Sequence, residues 1–140
     1  MQILSIRDGR HPVGAVVKVR ASGEKSCPLI EGIVLHRKQY AASVERMLAL
    51  FEQVAKDGLT ALNKKQFHLA NEANGIYELI AGDLRTFFFK ASSGKFVVCT
   101  HMIVKHGQSA SSPEVAATIK FANEYSKAEK ANSLTWTTRL

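Results

Sequence analysis

Seven basic side chains carry the chemistry on offer in this chain: Lys64, Lys65, His68, Arg85, His101, Lys105 and His106. Arginine presents a bidentate fork to phosphate, and lysine a compact positive charge. Histidine titrates near neutrality and serves as acid or base. These residue types suit metal-independent cleavage of RNA. In that reaction a ribose 2′-OH attacks the adjacent phosphate and a base takes its proton. An acid protonates the departing 5′ oxygen, and cations stabilise the phosphorane-like charge.

Each residue also has a plainer reading. Lys64 and Lys65 sit in a polar connector, where solvated charges are common. His68 fits a turn hydrogen bond as well as a site, and His101 fits a satisfied core histidine. Arg85 is harder to dismiss, because it interrupts the apolar run LRTFFF and needs a partner there. Lys105-His106 closes a strand-like run and enters a glycine-containing loop. Phe87–Phe89 and Tyr77 read as packing. The acidic residues are scattered, with no carboxylate pair for metal or glycosidase work. There is no nucleotide-binding glycine loop, GxSxG elbow or HExxH helix. No metal or small-molecule cofactor is expected.

The elements that must position these residues follow from periodicity. Residues 39–57 carry Val44, Leu48, Phe51 and Ala55 at helical spacing, with Ser43 as a cap and Gly58 as the stop. Residues 59–74 read as a polar connector ending in the turn signal Asn74-Gly75. Three strands are predicted at 76–80, 84–90 and 96–105, joined by turns at 81–83 and 92–94, and so antiparallel. Strict alternation in the third puts Val97, Cys99, His101, Ile103 and Lys105 on one face. Ser112-Pro113-Glu114 opens a last helix over 113–127. Before residue 31, only 13–20 (VGAVVKVR) resembles a strand, and Gly32–Leu35 reads as a second short strand or the approach to a helix. After 129 the periodicity stops, which predicts a flexible tail in which Trp136 is the one docking candidate.

Composition sets the class. With 140 residues, 46% of them apolar, the chain is expected to form a single folded domain. Nineteen Lys and Arg against 12 Asp and Glu give +7, which favours an anionic partner. Cys27 and Cys99 form no CxxC pair and no zinc spacing, as in a reduced cytosolic protein. No apolar run approaches the ~18 residues of a membrane span, so a cytoplasmic location without membrane contact is expected.

Taken in order, IYELI (76–80), LRTFFF (84–89), FVVCTHMIVKH (96–106) and SPEVAATIKFANEY (112–125) resemble the RelE/ParE superfamily of bacterial toxins. The closest likeness is to its HigB-like, phage-type branch. The helix ending in DGL (57–59) fits the same series, and the resemblance covers about 43–128. Two positions depart from the family pattern: its arginine after YEL is Ile80, and its lysine pair is Lys105-His106. The loop before Pro113 is also slightly long.

The resemblance implies an α+β, RelE-like small domain. Its twisted antiparallel sheet is packed by N-terminal helices and followed by a C-terminal helix. The core would span 31–128, with 1–30 an extension or extra strand and 129–140 a flexible tail. It implies the toxin of a type II toxin–antitoxin system, a ribosome-dependent mRNA endonuclease held in check by a small helix-turn-helix antitoxin. In that picture Arg85 and Lys105 bind the scissile phosphate. His106, His101 or His68 moves protons, and Lys64 and Lys65 hold RNA backbone. Two alternatives share the fold: a ParE-like, non-nuclease inhibitor of a protein such as gyrase, and a catalytically degenerate RNA-binding phage protein. The Arg85/Lys105/His106 grouping argues against the first, and Ile80 favours the second.

The site expectation is geometric. Arg85 and Lys105 lie on neighbouring strands and should converge with His106 at one accessible concavity, joined by His68 or Lys65. Their like charges would repel by a few kcal/mol unless an anion sits between them. Alanine at either position should then leave stability unchanged or raised.

Overall fold

The chain opens with strands. β1 (Gln2–Arg7) and β2 (Val13–Val16) form an antiparallel pair, and β3 (Lys18–Val19) and β4 (Lys25–Ser26) make a separate two-stranded ribbon. Helices α1 (Pro28–His36) and α2 (Ala41–Asp57) follow, then a single 3-10 turn at Leu59–Ala61. Next come β5 (Phe67–Asn71), β6 (Ile76–Ala81), β7 (Leu84–Ala91) and β8 (Phe96–Val104). Helix α3 (Ser112–Lys130) and β9 (Thr135–Thr137) complete the chain. This computed structural model describes residues 1–91, 94–105 and 112–140. His106, the Ser92-Ser93 part of the expected turn and the capping hydroxyl of Ser112 lie outside what it describes.

The fold is α+β, with the main sheet ordered β5-β6-β7-β8-β2-β1-β9. The three expected strands are present and mutually antiparallel in meander order, as β6, β7 and β8. The sheet as a whole is mixed rather than antiparallel, because β2 runs parallel to β8 and β9 parallel to β1. Residues 2–16 therefore supply two strands of the main sheet.

One layer of helices covers each face. α2 buries Val44, Met47, Leu50, Phe51, Val54 and Ala55, an i, i+3, i+4 stripe. It stops at Gly58, whose φ of +82° favours glycine and whose N–H donates to the Val54 carbonyl. α1 and α2 share a core with Val13, Ala15, Leu79, Leu84, Phe88, Val97, Cys99 and Met102. α3 covers the opposite face, where Val115 and Tyr125 meet Ile3, Val16, Ile76, Phe87, Phe89 and Val98. Cys27 and Cys99 are free and buried, and burial raises both thiol pKa values.

Further differences from the sequence reading lie in α1, β5 and β9. α1 replaces the ambiguous stretch at 32–35. It carries apolar residues almost all round, so helical periodicity was masked. β5 lies inside the expected connector, a short, half-exposed edge strand. The expected flexible tail instead contains β9, whose Trp136 packs 5.3 Å from the Phe96 ring. Gly14 makes room for that ring: a Cβ there would lie 2.6 Å from Trp136 and 2.5 Å from Ile3.

β8 breaks strict alternation. Thr86 pairs with Met102 and Phe88 with Cys99, so β8 advances three residues while β7 advances two. This bulge turns both Thr100 and His101 toward α3. Val97 and Cys99 consequently face α1 and α2, whereas Ile103 faces α3. The expected common face is thus split at the bulge: Val97 and Cys99 fall on the side of α1 and α2, while His101, Ile103 and Lys105 share the α3 side.

Candidate functional site

The β5–β6 and β6–β7 ladders bring the site together. Glu78 stands directly opposite His68 in the first and opposite Phe87 in the second. Alternation places Glu78 on the α3 face of β6, between Ile76 and Ile80. Its side chain is only 1% exposed. A single oxygen, Oε1, meets three cationic groups: His68 Nε2 at 3.1 Å, Lys105 Nζ at 3.8 Å and Arg85 Nε at 4.0 Å. The first is within hydrogen-bond range, and the other two are ion pairs. Oε2 is buried without a hydrogen-bond partner.

The β6–β7 turn fixes both permanent cations. The Gly82 carbonyl accepts from Arg85 Nη1 at 2.7 Å, and Leu84 O accepts from the same nitrogen at 3.0 Å. Asp83 O accepts from the Lys105 backbone N–H at 2.8 Å, pinning the residue where β8 ends. Consecutive carbonyls of one turn therefore hold two cations of the cluster.

Electrostatically, one carboxylate faces two permanent cations. The cluster carries a surplus positive charge even with His68 neutral. At 4 Å each attraction is worth about 4 kcal/mol at an effective dielectric of 20, against a desolvation cost of several kcal/mol for burying the carboxylate. The arrangement holds together because one hydrogen bond and two ion pairs converge on a single oxygen. His68 is the accessible member, its side chain 48% exposed. Its Nδ1 lies 3.1 Å from the Leu69 carbonyl. With acceptors at both ring nitrogens, an imidazolium satisfies both contacts and a neutral ring donates to one.

Of the seven expected residues, Arg85, Lys105 and His68 converge. His106 follows Lys105 directly but lies outside the described residues. His101 lies on the same α3 face but is not among the partners of Glu78; its ring is 6.0 Å from Phe121 on α3. Burial, then Lys18, push its pKa below the ordinary 6.5, against an opposing pull from Glu114. Lys64 is exposed in the turn before β5. Lys65 lines a groove of about 390 Å³ with Arg46, Gln53, Gln66, Ile80 and Gly82. That groove shares Gly82 with the anchor of Arg85, but Lys65 is not among the partners of Glu78.

Glu78 is the residue that sequence reasoning missed. The search for acidic chemistry looked for carboxylate pairs, and Glu78 is single. Its signal was the one used for Arg85: a charge inside an apolar strand, here IYELI. Among the described residues, no helix is long and apolar enough to cross a membrane. No protein-family model and no curated protein matches the chain.

Proposed function

We propose that this chain is a metal-independent endoribonuclease of the RelE/ParE kind. It would cleave mRNA on the ribosome as the toxin of a toxin–antitoxin pair, in the cytoplasm, with a small antitoxin as its inhibitor. The observation that carries this reading is the meeting of Arg85, Lys105 and His68 around one buried carboxylate, with net positive charge. The ordered family-like series from IYELI to SPEVAATIKFANEY supports it independently.

The roles follow from exposure and hydrogen bonding. Arg85 and Lys105 are pre-positioned by the Gly82-Asp83 turn to receive phosphate oxygens as charge builds on phosphorus. Glu78 is too deeply buried to touch substrate, and acts as a positioning residue for the three cations around it. His68, half-exposed and held by Glu78, carries the proton for the departing 5′ oxygen. His106, adjacent to Lys105, takes the proton of the attacking 2′-OH. The 2′-O–P bond forms as the P–O5′ bond breaks, so one proton is taken up and one released. A site whose acid and base are single histidines gains from a ribosome that orients the mRNA.

The test is expression without antitoxin, followed by primer-extension mapping of transcripts and a supercoiling assay. Cuts within translated message, lost in a folded Arg85→Ala/Lys105→Ala variant, are expected. Intact transcripts with supercoiling defects would replace this reading with the ParE-like one. Intact transcripts with retained RNA binding would leave a degenerate RNA-binding protein.

A further inference from the structure

A second concave surface lies between the β3–β4 ribbon and α3. It has a volume of about 470 Å³ and is lined by Lys18, Arg20, Lys120 and Phe121, with Val19 and Glu124 among the remaining walls. Three cations face one carboxylate. Glu24, the partner of Arg20 at 3.7 Å, leaves the Arg20 side chain 67% exposed, so that contact holds it weakly. Lys18 Nζ lies 5.8 Å from the centroid of the Phe121 ring. Val19 is 56% exposed, an apolar side chain at the groove's rim. Beside Phe121 stands His101, whose Nδ1 is buried without a hydrogen-bond partner.

We propose that this groove is a second nucleic-acid contact, taking the phosphodiester backbone and a stacked base of single-stranded RNA. Cations beside an aromatic in a concave wall match what such a strand offers: a regular row of charges and flat apolar faces. The groove connects physically to the Glu78 cluster through β8. His101 lies beside Phe121 and Lys105 in the cluster, four residues apart, or about 13 Å at the strand rise. One short strand can therefore engage both. The choice of RNA as ligand rests on the proposed function; the groove's geometry does not.

The test is fluorescence anisotropy with a labelled oligouridylate 12-mer over a salt series. The proteins compared are the full chain, a Lys18→Ala/Arg20→Ala/Lys120→Ala variant and an Arg85→Ala/Lys105→Ala variant, each shown folded by thermal melting. Loss of three phosphate contacts should weaken binding and lower the slope of log K against log salt by roughly two, at about 0.7 per contact for single strands. The groove variant should also slow cleavage of message by raising KM more than it lowers kcat. Wild-type affinity and slope in the folded groove variant would overturn the proposal. So would groove-dependent binding to phosphatidylserine vesicles with none to the oligonucleotide. The two readings fail separately. Cleavage that survives groove substitution with unchanged binding sinks the groove alone; groove-dependent binding without cleavage by any form of the chain sinks the nuclease alone.

Discussion

His68 and Glu78 face each other across the β5–β6 ladder, imidazole Nε2 to carboxylate Oε1 at 3.1 Å, with one partner half-exposed and the other buried. Such a pair makes the cluster's charge depend on an internal anion. Replacing Glu78 with Gln removes that anion and leaves Arg85 and Lys105 close together and uncompensated. The expected loss is about 1–3 kcal/mol, or a drop in Tm of several degrees. Inorganic phosphate should restore part of that loss in Glu78→Gln while affecting the parent chain less. Equal phosphate effects on the two melts would show that no anion place is vacated.

Lys105→Ala and Arg85→Ala should each abolish cleavage and also destabilise. Like-charge repulsion alone predicts the opposite sign for stability, but Glu78 is the anion between the cations. Each removal costs less than the ~3–5 kcal/mol of an isolated buried pair, because the other cation and His68 remain beside Glu78. Urea denaturation should read roughly 1–3 kcal/mol for each. In the Lys105→Ala/Glu78→Gln double variant the losses should be less than additive, with a coupling of at least ~0.5 kcal/mol. Strict additivity would mean that the 3.8 Å contact carries no energy.

His101 makes stability fall on the acid side. Its folded-state pKa lies below the ordinary 6.5, so above 6.5 the ring is neutral in both states and contributes no pH dependence. As pH drops from 6.5 toward the lowered value, the unfolded chain takes a proton that the folded chain refuses, and stability is lost. Urea midpoints measured at pH 7.5 and 5.5 should differ more for the parent chain than for His101→Gln. Identical differences would remove His101 from the account.

Trp136 is the only tryptophan, so its emission reports the docking of β9. Gly14→Ala would put a methyl 2.5 Å from Ile3 and 2.6 Å from the indole. The substitution should red-shift the emission and cost about 1–3 kcal/mol, as overpacking typically does. An unshifted spectrum in a fully stable variant would show that the ring does not rest on Gly14 in solution.

How far the residues alone disclosed this molecule varied with the kind of contact. β6, β7, α2 and α3 were readable because each repeats one period between strong punctuation, such as Gly58, Asn74-Gly75 and Pro113, and β8 because its alternation fails only at the bulge. α1 was not, since an apolar helix lacks the polar face that reveals its period. β5 and β9 depend on pairing with partners that local pattern does not encode: Phe67 with Leu79, and Thr135 with Gln2. In the site, Arg85 and Lys105 could be brought together by adjacency of β7 and β8. His68 could be joined to them only through a ladder register, and Glu78 only by treating a lone carboxylate as seriously as a pair. Alternation carried through the bulge misplaced Val97 and Cys99, while His101 kept the face of Lys105 and lies beside Phe121 rather than against Glu78.

That bulge bears on how the strand tolerates changes in length. Thr100 and His101 occupy a single position of the ladder, opposite Phe87. A chain lacking one of them would regain an unbroken zigzag, with Met102 still under the helical pair and Ile103 and Lys105 still on the other side. The supernumerary residue is therefore dispensable for placing Lys105. What it adds is a second side chain on the α3 face. One position bonds Thr118 through Thr100 while also setting an imidazole beside Phe121.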